Sequence, residues 1–236
     1  MILMKIIIKI LLILMLVNST YLFANDEFIN NFKIKRGFEV LHNSKKWHIQ
    51  GQIERKKDIY FSFNVYMILP DLLRMDTEGK ISSEKAVYDG KNGWVKSAQY
   101  MPMPMNNEVI TDILRFRNIV CSPVFEDSTA KFSYKFKNKE NVENINCKVY
   151  TATDSKGITS DLYISEKDTQ LIRYSVIEPF QGFEVLADYY FYDYKKVNGV
   201  EIPFKTEVYF AEEKLIIVLE NAIQQEELRE FDFRKP

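Results

Sequence analysis

The sequence predicts a mainly β protein: a strongly curved antiparallel sheet of about ten strands, capped by two short helical segments. Three observations predict it. Apolar and polar residues alternate with period two along most of the chain, as they do in strands with one buried and one wet face. Turn-forming pairs, Asp89-Gly90, Asn92-Gly93 and Asn198-Gly199, separate several of these runs. Helical spacing is confined to two segments, so the strands connect mostly as antiparallel meanders.

Residues 1–24, MILMKIIIKILLILMLVNSTYLFA, carry Lys5 and Lys9, then an unbroken apolar run from Ile10 to Val17, and end on Ala24. A basic start, an apolar centre and a small final residue are the layout of a secretory signal peptide. The run is shorter than the roughly 20 apolar residues of a transmembrane helix. Cleavage near Ala24 is expected to release residues 25–236 as one exported domain; uncleaved, the segment would be an N-terminal anchor. Without the two leader lysines the net charge is about −3, which offers no electrostatic footprint for nucleic acid or an anionic membrane.

Residues 25–43, NDEFINNFKIKRGFEVLHN, open with an Asn/Asp cap and acids in the first turn. Phe28, Ile29, Phe32, Ile34, Phe38 and Leu41 make the apolar face, and Gly37 weakens the second half. The first strand sets Trp47, Ile49, Gly51 and Ile53 against His48, Gln50, Gln52 and Glu54. The second places Ile59, Phe61, Phe63, Val65 and Met67 on one face, with Ser62 and Asn64 between. Residues 105–121 are a cleaner helix, with Val109, Ile110, Ile113, Leu114 and Val120 on one face. Ser122-Pro123 ends it. Phe132, Tyr134 and Phe136 then oppose Lys131, Ser133, Lys135 and Lys137. Ile158, Ser160, Leu162 and Ile164 alternate with Thr159, Asp161, Tyr163 and Ser165. Phe183, Val185, Ala187, Tyr189 and Phe191 share a face. Val200, Ile202, Phe204, Val208 and Phe210 do the same, opposite Glu201, Lys205 and Glu207.

Catalytic and metal constellations do not emerge from the sequence. His42 and His48 lie six apart across a helix-to-strand boundary, which is not a metal-ligand spacing. G-x-S-x-G, H-E-x-x-H, P-loop and C-x-x-C motifs are lacking. The expectation is a protein without enzymatic activity, metal or cofactor. Cys121 and Cys147 could form one disulfide after export or stand as two small buried thiols.

The hairpin YYFYDYKKVNGVEIPF, residues 189–204, places five aromatic rings in its first six positions. Many strands with one apolar face make one large apolar concave surface if the sheet curls. The two short helices are its natural cover. A wide or open sheet leaves a cavity beneath them, whereas a two-layer α+β core would not. In the cavity reading, the wall comprises Phe61, Phe63, Val65, Trp94, Met103, Ile110, Ile113, Leu114, Tyr189, Phe191, Ile202 and Phe204. Met101, Met103 and Met105 alternate with Pro102 and Pro104. The prolines favour an extended strap before the second helix, and methionines adapt to an irregular ligand.

Five stretches in this order resemble the periplasmic carriers and receptors of outer-membrane lipoproteins, the lipoprotein localisation factors. They are VYMILPDLLRMD (65–76), AVYDGKNGWV (86–95), YMPMPMNNEVITDILRF (100–116), the hairpin at 189–204 and LREFDFRKP (228–236). The resemblance implies an unclosed β-barrel with a helical lid over a cavity for acyl chains of lipids or lipoproteins. It also implies periplasmic transport or chaperone work between an inner-membrane lipoprotein-release transporter and an outer-membrane receptor, with only transient membrane proximity. A lipid-sensing regulator of envelope stress on the same fold is the alternative, and an envelope enzyme the third. One position departs from the pattern. The best-known carriers have an Arg immediately before the Pro of the early strand, where it hydrogen-bonds the lid. This chain has Leu69 there, and the nearest Arg is Arg74.

Overall fold

A computed structural model describes residues 27–236 apart from 44, 56–57, 81, 122–131, 156 and 181–182. The leader, and the Ser122-Pro123 stop, lie outside the described residues. Two helices, α1 (Glu27–Arg36) and α2 (Phe38–Asn43), precede five strands: β1 (Lys46–Arg55), β2 (Asp58–Ile68), β3 (Leu72–Gly79), β4 (Ser83–Asp89) and β5 (Gly93–Ser97). The short β6 (Met103–Pro104) leads into helix α3 (Asn107–Cys121). Seven strands complete the chain: β7 (Ser133–Val142), β8 (Ile145–Thr153), β9 (Thr159–Ser165), β10 (Leu171–Phe180), β11 (Phe183–Val197), β12 (Val200–Phe210) and β13 (Glu213–Gln224). A 3₁₀ turn at Glu230–Phe233 follows them.

The thirteen strands form one curved antiparallel sheet, in the order β6-β5-β4-β3-β2-β1-β13-β12-β11-β10-β9-β8-β7. The count exceeds the expected ten because several strands lack clean alternation. In β9, Leu162, Tyr163 and Ile164 are all buried, since both faces of the sheet are covered there. Two meanders run outward from the central β1/β13 pair, and β6 and β7 are the free edges, so the sheet is not closed. This order has a consequence for α3. The chain leaves the sheet at one edge and re-enters at the other, so the connection that carries α3 has to span the sheet.

One core fills the helix-covered face, joining alternate residues of the central strands to Ile29 and Phe32 of α1, Leu41 of α2 and Ile113, Ile119 and Val120 of α3. A smaller cluster of Val142, Cys147, Val149, Tyr163 and Ile172 lies on the other face. Val149 and Tyr150 are adjacent in β8 but belong to different clusters, as strand alternation demands.

Local signals explain the turns. Asp89 Oδ1 accepts from the amides of Lys91 and Asn92 at 2.9 and 2.7 Å, so the two predicted turn pairs close a single β4–β5 hairpin. Asn198 and Gly199 have φ of 48° and 92°, the positive pair of a type I′ turn. The predicted helix over 25–43 is two helices, broken at Gly37 with φ of 74°. A Cβ there would overlap the Gly199 carbonyl and lie 2.9 Å from Val200 Cα. The α1–α2 junction is thereby pressed onto the β11–β12 turn and covers one end of the curved sheet. Two residues assigned to apolar helix faces are exposed, Ile34 and Val109, since each helix buries a narrower stripe than its sequence offers. Phe136, predicted on a buried face, is also exposed, because β7 is an edge strand with a neighbour on one side only.

Candidate functional site

The concave face is built from every second residue of the central strands. Trp47, Ile49, Phe63, Val65 and Met67 have no exposed surface, and Tyr189, Phe191 and Ile202 are nearly as buried. Helix α3 lies over this face. Asn106 Oδ1 caps it by accepting from the Val109 amide at 2.9 Å. The Met105 amide donates to the Gly93 carbonyl at 2.8 Å. A Cβ on Gly93 would come within 2.9 Å of both Met105 and Ile110, so the missing side chain lets the start of the helix dock on β5.

Three consecutive residues then fasten α3 to separate parts of the sheet. Successive side chains on a helix are rotated by about 100°, so Arg115 and Arg117 leave on opposite sides with Phe116 between. The Phe116 ring meets Phe63 of β2 edge-on, with centroids 5.1 Å apart. Buried Arg117 donates through Nη1 to the carbonyl of Pro70, in the β2–β3 turn, and through Nε and Nη2 to Asn118 Oδ1. On the other side, Arg115 Nε lies 3.1 Å from Glu178 Oε1 of β10. Tyr189 of β11 donates its hydroxyl to the same oxygen at 3.0 Å. The turn that follows Leu69 is therefore tied to the helix from the helix side: the Arg is on α3, and the turn supplies a carbonyl.

The carboxylate end of the Arg115–Glu178 pair is nearly dry, whereas Arg115 is partly exposed. The Glu178 side chain is 7% exposed. Burial pushes its carboxyl above the usual carboxylate range, while Arg115 and the Tyr189 hydroxyl pull the other way without cancelling the shift. The Tyr189 hydroxyl is raised well above its ordinary value by burial and by the adjacent carboxylate.

A cavity of about 840 Å³ opens on the concave face at the end carrying the β1–β2 and β3–β4 turns, away from α1 and α2. Phe61, Met75 and Ala86 form its floor; Ile59, Tyr60, Arg55, Asp58, Lys80 and Glu84 stand around it. Arg55 is tied to Glu213 by two hydrogen bonds, 2.7 and 3.1 Å. An apolar floor with a polar rim suits the tail of an amphiphile, and the volume falls within the roughly 300–1,000 Å³ of ligand pockets.

The structure places the predicted wall residues in three settings. Phe61 lines the cavity. Phe63, Val65, Ile113, Tyr189, Phe191, Ile202 and Phe204 are buried in the common core beneath the helices, with Leu114 packed against it. Trp94 and Ile110 are half-buried and Met103 is exposed. Sequence reasoning missed Met75 and Ala86, because β3 and β4 have charged residues at intervening positions and read as weak strands. It also missed Glu178, whose only sequence signal was an acid in an otherwise apolar stretch.

Cys147 is a free, buried thiol in the cluster away from the helices, and burial pushes it up to about 11. The Cys121 side chain and the His42 side chain lie outside the described residues. His48 stacks on Tyr66 at 4.3 Å and shares a 2.9 Å hydrogen bond with Asn64. Among the described residues no His/Cys/Asp/Glu cluster could hold a metal, and no helix is long and apolar enough to cross a membrane.

No protein-family model and no curated protein matches the chain. Its fold does match solved structures. A DUF1329 family protein from Desulfovibrio piger aligns at TM-score 0.58 and 12% identity, covering 89% of this chain and 98% of that one. A LolA superfamily protein from Nitrosomonas europaea aligns at TM-score 0.58 and 10% identity, covering 86% and 96%. A candidate outer membrane lipoprotein-sorting protein domain from Vibrio parahaemolyticus aligns at TM-score 0.56 and 9% identity, covering 88% and 97%. The chain therefore shares the fold of these three structures over nearly its whole described length.

Proposed function

We propose that the protein is an exported carrier that holds acyl chains of lipids or lipoproteins on its concave face. The observation that carries this reading is the cavity floored by Phe61, Met75 and Ala86, at the open end of a sheet whose remaining apolar face lies under a fastened helix. Each methylene withdrawn from water contributes about 0.8 kcal/mol, so an apolar trough suffices for affinity without polar recognition. A carrier must also release its load, and that favours a cover held by a few separable contacts over a sealed core.

The leader-like N-terminus supports export to the periplasm, and the fold supports lipoprotein traffic, with an inner-membrane release transporter as donor and an outer-membrane receptor as acceptor. The reading requires no cofactor, metal or catalytic step. It is tested by titrating the purified protein with a fluorescent fatty acid and repeating the titration with Phe61→Asn. Saturable binding that the polar substitution weakens supports the reading. A folded protein that binds neither the probe nor any copurifying lipid rejects it.

A further inference from the structure

Helix α3 is the segment that connects the two free edges of an unclosed sheet, and residues 115–117 fasten it across the concave face. The fastenings differ in chemistry. Arg117 holds a neutral carbonyl, that of Pro70, which cannot titrate. Phe116 makes an apolar contact with Phe63. Arg115 holds a carboxylate, which a proton can neutralise. Among the described residues, the remaining titratable groups facing Glu178 are Asp112 of α3, Tyr189 of β11 and Tyr174 of β10.

Release at this point leaves no charge stranded. Arg115 already has a second partner on its own helix, Asp112 Oδ1 at 3.0 Å, whose side chain is exposed. A protonated Glu178 keeps its hydrogen bond with Tyr189, since either hydroxyl can serve as donor. Burial already disfavours the charged form of Glu178, so protonation removes a desolvation penalty as well as an attraction.

We propose that Arg115–Glu178 is the releasable end of a cross-brace: neutralising Glu178 frees Arg115, and α3 swings on its Arg117–Pro70 attachment to open the concave face. The regulated step is entry of the acyl chain, so the inference rests on the carrier reading above. Protonation moves one proton onto Glu178 Oε1 or Oε2 and forms or breaks no other covalent bond. Binding should be fastest where Glu178 is neutral.

The test uses the whole mature protein with two readouts: hydrogen exchange of α3 amides without ligand, and the association rate of a fluorescent long-chain alcohol, whose head does not titrate. Exchange in β1 and β13 serves as the reference for global unfolding. In the wild type, both α3 exchange (corrected for its intrinsic pH dependence) and probe entry should accelerate as pH falls from neutral into the carboxylate range. Glu178→Gln should be fast at every pH, by at least roughly fivefold at pH 7, the low end of typical site–site coupling. Arg115→Gln should behave the same way, and Lys137→Gln, which removes a surface pair with Asp161, should match the wild type. Unchanged α3 exchange in both latch variants overturns the brace, as does faster exchange without faster entry in a protein that does bind the probe. Should both variants fail to fold, a wild-type α3 that exchanges no faster in acid relative to β1 and β13 overturns it equally. Faster α3 exchange in a protein that never takes up the probe leaves the brace standing and removes the carrier reading instead.

Discussion

Phe61 and Phe191 were legible in the sequence as members of one apolar face, yet they stand in different surroundings. Phe191 is 3% exposed in the main core, whereas Phe61 borders existing empty space. Phe191→Ala should therefore cost about 3–5 kcal/mol, part of it a new void. Phe61→Ala creates little new void and should cost about 1–2 kcal/mol while weakening fatty-acid binding more than Phe191→Ala does in protein that remains folded. Urea denaturation and probe titration of the two variants check this. Period-two reading assigns a side chain to a face; it does not say whether that face is packed at a given depth. A second residue-scale prediction concerns Glu207. Burial opposes its ionisation, but hydrogen bonds from Lys214, Lys205 and Tyr209 outweigh burial and hold its carboxyl at about 2. A depressed value stabilises the fold above the ordinary glutamate range, and that contribution is lost as pH falls from 4.5 towards 2. The urea midpoint of Glu207→Gln should lie below that of the wild type at neutral pH and converge on it in acid.

Among the elements, the α1–α2 break has the most local cause. Gly37 occupies the left-handed region with its Cα hydrogens against the Gly199 carbonyl. Gly37→Ala should cost at least about 1–2 kcal/mol for the conformation alone, lowering Tm by at least about 2–4 °C in a chain of this size. A thermal melt unchanged by the substitution would show that the junction is not held against the turn. The sequence flagged this glycine as a weakness in one helix, but only the fold supplies the turn it has to clear. Strands with two covered faces were hidden for a related reason: the Tyr163 and Cys147 cluster places apolar residues where alternation expects polar ones. The same cluster bears on the cysteines. Cys147 is a free thiol in the cluster away from the helices. Mass analysis of unreduced protein after thiol alkylation should find Cys147 modified in the unfolded chain, and a mass consistent with an internal bridge would contradict this.

At the scale of the whole molecule, the turn pairs and alternating runs made an antiparallel meander legible, and the two helical segments marked its cover. The sequence did not show that the two meanders join through β1 and β13, since no local pattern records which strands pair over long range. That pairing makes β6 and β7 the edges and turns α3 into a bridge between them. The bridging role explains why Arg115 and Arg117, unremarkable as surface-type residues in a helical pattern, are drawn towards the interior. It also ties shape to the proposed work: an open sheet with a fastened crossing helix can admit a chain by moving one element and leaving the central strands in place. The measurement that tests this account most directly is native mass spectrometry of the mature protein purified from an exporting host. The account predicts a population carrying acyl-chain lipid that an added long-chain fatty acid displaces. A folded protein at its bare mass that takes up no fatty acid at neutral or acid pH would contradict it.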